Sequence, residues 1–157
     1  MKIATDVLKE KLKIVKTAIP SKSVNAAMEC ALVKDGRIYG SNLSICISTS
    51  IDLEGEFLIP KRAIDIINCS HAVETEFIIT DKTLSIKLDK SISRFPLINT
   101  NDYVEIPKSE SSEVHTLSAD KIDFINDVSY ASSNSNDRPI YKSVLFGNEI
   151  VALDGVR

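Results

Sequence analysis

The side chains of this sequence best spaced to act together are cations, not nucleophiles. Lys9, Lys13 and Lys16 stand at i, i+4 and i+7, which sets them on one face of a helix. Ammonium groups in such a row attract phosphate without reading base edges, because attraction to a duplex backbone is nearly uniform along its length. Taken by itself, however, the row is better accounted for as the solvated side of an amphipathic helix. Cys69, Ser70 and His71 bring nucleophile and base types together, but sequence neighbours rarely point at one another. Neither a nucleophile elbow nor metal-ligand spacing surrounds them, so they read as a surface loop. Asp52, Glu54 and Glu56 alternate like a carboxylate row, which a charged strand edge guarding against aggregation explains without a metal. The five glycines include no phosphate-cradling loop. No catalytic residue, no metal site and no cofactor is predicted.

Those lysines sit in a chain of 157 residues, enough for one ordinary domain plus a remainder too short to bury a second core. Hydrophobic residues at 43% and charged residues at 26% give the balance of a folded, water-soluble protein and exclude a disordered or fibrous one. Cys30, Cys46 and Cys69 form no CxxC pair, and their odd number argues against a disulfide framework. A reducing, cytoplasmic location is expected. The opening MKIATDVLKE is charged within ten residues, and no apolar run approaches a membrane span, so no membrane partner is predicted. A formal charge of -3 gives no global attraction to a polyanion; the placement of the lysines decides that question.

The first helix is predicted over Asp6 to Ile19, with Leu8, Leu12, Val15 and Ile19 on one stripe, Asp6 as its N-cap and Pro20 ending it. Strands are expected at Ala27 to Val33, Arg37 to Leu43 and Ile45 to Ile51, with a turn at Lys34, Asp35 and Gly36. The pattern then recurs. Glu56 to Ile59 reads as a strand and Pro60 as the first position of a short helix. Three more strands follow near Val73 to Ile79, Thr83 to Leu88 and Ser91 to Leu97. An α+β fold follows, two strand-helix-three-strand halves packed together with both helices on one side.

That domain fills residues 1–107, and the polar stretch 108–115 suits a linker. Residues 116–157 open the pattern again. Ile122, Ile125 and Val128 fall at helical spacing, a Ser/Asn loop follows, and YKSVLF and EIVAL read as strands. Val15 matches Val128, Ala18 matches Ala131, Leu32 matches Leu145 and Ile38 matches Ile150 at an almost constant offset, the mark of an internal repeat. The sequence stops at Arg157, where the repeat would begin its third strand. A shortened form, proteolysis after a basic residue, and a natural short protein that pairs its half domain with another copy all remain open.

Seven short strings stand in register along the chain: IPSK after the first helix, IPKRAIDII at the second, SRF and then NTNDYVEIP closing the domain, and finally TLSAD, DRP and LDGVR. In that order they resemble the bacterial DNA polymerase sliding clamp, the beta subunit of DNA polymerase III, over the whole chain. The resemblance implies a DNA-clamp fold, with three similar domains per subunit closed head to tail as a homodimer around duplex DNA. It implies a non-catalytic processivity factor that tethers the replicative DNA polymerase and is handled by clamp loader subunits. A clamp-like protein-binding module that never encircles DNA is the alternative.

Through the resemblance, the lysine row becomes a phosphate-facing stripe. Lys9, Lys13 and Lys16, Lys22 in IPSK, Lys61 and Arg62 at the second helix, and Arg138 in DRP become the expected DNA contacts. The third helix departs from the family pattern, for Asp120, Asp123 and Asp127 dominate its polar face and Lys121 is its sole cation. The resemblance also implies a pocket for partner peptides at Tyr141, Leu153, Val156 and Arg157. Val156 stands where the family usually has histidine, and Leu153 where threonine is common, so the pocket would be more apolar and its partner preference different. As ordinary strand residues, Tyr141 and Leu153 would simply pack a core.

Overall fold

The structure is a computed structural model, and it describes residues 1–106, 116–133, 139–147 and 149–154. The chain divides into two compact units, Met1–Pro107 and Lys108–Arg157. The stretch expected as a linker lies outside the described residues.

The first unit runs β1 (Lys2–Ala4), α1 (Thr5–Lys16), β2 (Cys30–Lys34), β3 (Arg37–Ser41) and β4 (Cys46–Ser50). Then come β5 (Phe57–Pro60), α2 (Lys61–Cys69), β6 (Glu74–Ile79), β7 (Thr83–Leu88) and β8 (Ser91–Pro96). This is the expected α+β succession of two strand-helix-three-strand halves. The pairing of the strands adds a feature that no local pattern announces. The two antiparallel sheets have the orders β1-β6-β7-β8 and β4-β3-β2-β5. Each half therefore lends its first strand to the other's sheet: Ile3 lies opposite Thr75, and Ile59 opposite Ala31. At the chain start, Met1 and Phe77 exchange backbone hydrogen bonds of 2.7 and 2.9 Å.

Leu8, Leu12 and Val15 of α1 and Ile64 and Ile67 of α2 are buried in one core with Val33, Ile38, Phe57, Phe77 and Ile86. The Phe57 and Phe77 rings, one from each sheet, meet at 5.4 Å and 49°, a tilted contact favoured by the ring quadrupoles. β2 is buried on both sides. Ala31 and Val33 face this core, while Cys30 and Leu32 join a smaller cluster with Ala27, Leu58 and Tyr103. Covering both faces explains why β2 reads as an unbroken apolar run instead of an alternation.

Several boundaries differ from the sequence expectation. The N-cap of α1 is Ala4, without a side-chain cap; Asp6 instead lies in the first turn, where its charge meets the positive helix end. Thr5 is buried and its hydroxyl bonds that of Thr75 at 2.9 Å, so the helix start is fixed by a contact from β6. Pro60 closes β5 and caps α2, which starts one residue later. Residues 26–29 form a 3-10 turn before β2. Asp52, Glu54 and Glu56 occupy no strand, because Ile51 and Leu53 turn inward and leave the acids exposed along an irregular connection. Asp35 and Gly36 both take positive φ, 52° and 67°, the requirement of a tight two-residue hairpin turn.

In the second unit, α3 (Ala119–Ser129) is capped by Ser118, whose hydroxyl accepts from the Lys121 backbone N–H at 3.4 Å. Of the expected strand YKSVLF, the first part is a 3-10 turn, Pro139–Lys142, and pairing is confined to β9 (Leu145–Phe146) and β10 (Ile150–Val151). In β9–β10, Leu145 faces Val151 and Phe146 faces Ile150; in β2–β3, Leu32 faces Tyr39 and Val33 faces Ile38. The two hairpins thus share their register under the sequence repeat. No described residue of this unit is buried, and Phe124 is 61% and Leu145 67% exposed. Among the described residues, no helix is long and apolar enough to cross a membrane.

Candidate functional site

The apolar stripe of α1 faces the core, which leaves Lys9, Lys13 and Lys16 on the side toward α2. Lys9, Lys13 and Lys16 line one open groove of about 490 Å³ with Glu10, Thr17 and, from α2, Asn68. Lys16 Nζ lies 2.9 Å from Asp65 Oδ1 of α2. Lys9 Nζ donates to the Ser70 carbonyl, which caps the C-terminal end of α2, where a cation meets the negative end of the helix dipole. Lys13 has no hydrogen bond or ion pair among the described residues. Lys61 Nζ reaches back to the Ser21 carbonyl at 3.2 Å, beside the exposed Lys22. Arg62 is exposed on the first turn of α2. Three of the lysines of α1 thus gather round one groove, and Lys61 is tied to the loop that carries Lys22. Arg138 lies outside the described residues.

Three lysines elsewhere on this unit are matched to acids. Lys2 pairs with Glu74 at 2.9 Å, Lys34 with Glu56 at 3.0 Å and Lys87 with Glu76 at 3.4 Å. The hydrogen bond from Lys34 holds the Glu56 carboxyl below its usual range. Of the Cys69, Ser70, His71 stretch, Ser70 serves structure twice. Its carbonyl takes Lys9, and its hydroxyl accepts from the Ala72 backbone N–H at 3.0 Å. Burial and then the nearby Glu29 push the Cys30 thiol up to about 12. Burial also raises the Tyr103 hydroxyl, with smaller contributions from Cys46 and Cys30. The Ser41 backbone acts on Tyr103 in the opposite direction, and the oxygen has no hydrogen-bond partner among the described residues.

In the second unit, Tyr141 and Leu153 line a single apolar pocket of about 320 Å³ with Ile140, Leu145, Phe146 and Val151. Val156 and Arg157 lie outside the described residues. Asp120, Asp123 and Asp127 are all exposed on α3, while the Lys121 ammonium sits over the Phe146 ring, 5.7 Å from its centroid, at cation–π range. Nothing in the sequence assigns the groove partners Asp65, Asn68 and Ser70 or the pocket residues Ile140, Leu145, Phe146 and Val151 to these sites. Asp65 follows Arg62 at i+3 and marks a polar helix face, but nothing local signals its meeting with Lys16.

Two strand-helix-three-strand halves that exchange their first strands around one core, with the two helices side by side, make the fold of the DNA sliding clamps. The chain superposes on the DNA polymerase sliding clamp of Bacillus subtilis with a TM-score of 0.83 at 20% identity, over 98% of this chain and 47% of that one. The DNA polymerase III beta subunit of Pseudomonas aeruginosa gives 0.82 at 20% identity, over 99% and 47%. The Helicobacter pylori beta clamp, solved with a DNA ligase peptide bound, gives 0.72 at 17% identity, over 92% and 43%. The chain therefore spans about half the length of the clamps it matches. No family model and no curated protein matches it.

Proposed function

We propose that this chain works as part of a sliding clamp, a cytoplasmic processivity factor without chemistry of its own that encircles duplex DNA and tethers the replicative DNA polymerase. On this reading residues 1–107 are the first clamp domain, 108–115 the linker and 116–157 the beginning of the second domain. The ring closes head to tail as a homodimer and is opened and placed by clamp loader subunits. The observation that carries the reading is the sliding-clamp fold over 98% of the chain, with Lys9, Lys13 and Lys16 round one groove on the helix side. Such a face suits a sleeve, because ammonium groups attract every phosphate alike and favour no base sequence. Lys22, Lys61, Arg62 and Arg138 extend the phosphate-facing surface.

Tyr141 and Leu153, with Val156 and Arg157, form the partner-peptide site. The DNA ligase peptide on the Helicobacter pylori clamp supports a peptide of DNA polymerase or DNA ligase as its occupant. The acidic face of α3, with Asp120, Asp123 and Asp127 exposed, favours the second reading, a clamp-like protein-binding module that does not surround DNA. Retention on DNA separates the two. The protein is loaded on a nicked circular plasmid with a clamp loader and ATP, and passed through a sizing column before and after the plasmid is cut once. An encircling clamp stays on the circle and runs off the cut ends. Equal retention on both forms, or on neither, leaves the binding module as the function.

A further inference from the structure

The three lysines of the α1–α2 groove differ in how freely they meet an anion. Lys13 has no partner among the described residues, Lys9 is committed to the Ser70 carbonyl, and Lys16 is held by Asp65 at 2.9 Å. The side chains of Lys16 and Asp65 are 43% and 51% exposed. Water and salt reach such a pair, so one oxygen anion is readily exchanged for another. A carboxylate and a phosphate offer an ammonium the same kind of charge-assisted hydrogen bond. We propose that Asp65 is a positioning residue that competes with phosphate for Lys16, so that Lys16 takes a duplex phosphate only by letting go of Asp65.

The inference rests on the groove being a duplex-facing surface, and it assigns a different task to each lysine. Lys13 meets phosphate directly. Lys16 alternates between Asp65 and phosphate. Lys9 fixes the end of α2 and thereby sets the shape of the groove. A resident carboxylate keeps the grip on any one phosphate loose, which suits a surface that must pass from phosphate to phosphate. Glu10 also lines the groove but takes part in no ion pair among the described residues, so it serves as a control of equal charge.

The test is the salt dependence of binding between the full chain and a short blunt duplex, read by fluorescence anisotropy from ~50 to ~200 mM salt. Asp65→Asn should steepen the logarithmic salt slope by ~0.9, the value for one further phosphate neutralised. At the low-salt end it should tighten binding by about threefold or more. Lys13→Gln should flatten the slope by a similar amount, and Glu10→Gln should leave it unchanged. The gain from Asp65→Asn should vanish in the Lys16→Gln background, because the competition requires both partners. If Lys13→Gln weakens binding but Asp65→Asn does not tighten it, or tightens it equally without Lys16, the competition is overturned and the groove reading survives. If neither Lys13→Gln nor Asp65→Asn alters binding, or the wild type binds no duplex, the groove reading falls as well. Circular dichroism melting curves that superpose for all variants establish that only the surface has changed.

Discussion

Gly40 of β3 lies so close under the end of α1 that a Cβ at this position would stand 2.3 Å from the Val15 carbonyl oxygen. The obstacle is backbone, which no rotamer change relieves, and the Ile19 side chain closes the same space at 3.0 Å. Gly40→Ala must push α1 off the sheet or bend β3. The expected loss is ~1–3 kcal/mol, as for other overpacked sites. That outweighs the smaller gain from a stiffer unfolded chain. A urea midpoint equal to or above that of the wild type would contradict the close approach.

The buried hydroxyls of Thr5 and Thr75 satisfy each other across 70 positions of sequence at 2.9 Å. Thr75→Val strands one hydroxyl away from water and should cost ~1–3 kcal/mol, whereas replacing both by valine removes the stranded group and restores part of the loss. A double-mutant cycle on chemical unfolding measures the coupling. Additive single effects would mean that the two hydroxyls do not depend on each other.

The three thiols should react unequally. Cys46 and Cys69 are exposed and Cys30 is buried, with its pKa pushed up to about 12, first by burial and then by Glu29. At pH 8 a disulfide reagent should label two thiols quickly and the third only as the protein unfolds, with all three accessible in urea. A thiol whose folded pKa lies above its ordinary 9.0 keeps its proton in the folded protein while the unfolded chain releases it. Stability should therefore fall as pH rises from about 9 to about 12, and Cys30→Ala should remove that share of the slope. Three equally fast thiols at pH 8 would show that β2 is not covered on both faces.

Leu153 lines the pocket of the second unit together with Tyr141 and Phe146. Leu153→Arg sets a charge into an apolar wall. It should weaken binding of a short DNA polymerase or DNA ligase peptide by at least about tenfold, the size expected for a central anchor site. The urea midpoint of the first unit should not change. Titration calorimetry with the peptide reads the effect. Unchanged affinity would place the peptide elsewhere.

The α+β class and the order of the first unit's elements were readable along the chain because they rest on local periodicity. Leu8, Leu12 and Val15 recur at the helical period, and a helix so marked has little choice but to bury that stripe. Asp35-Gly36 supplies the positive φ that a two-residue hairpin needs. The opening strand of the first half is implied by the recurrence of halves but takes no residues from the sequence, since Lys2–Ala4 is too short to show an alternation. The charged row at Asp52, Glu54 and Glu56 alternates like a strand but is not one, because strand formation needs a pairing partner as well as a pattern.

What the sequence determined by itself is therefore the set of helices and hairpins, the recurrence that relates Leu32 to Leu145 and Ile38 to Ile150, and the single face on which Lys9, Lys13 and Lys16 lie. Tertiary structure alone decided where those pieces meet. It sent β1 to β6 and β5 to β2, set Thr5 against Thr75 and Gly40 under Val15, and gave Lys9 and Lys16 partners on α2 while leaving Lys13 without one. The reason is physical. Periodicity records which side of an element avoids water, a property of neighbours in sequence. A hydrogen bond, an ion pair or a backbone contact depends on separations of a few ångströms between residues far apart in the chain, which only the closing of the core around them fixes.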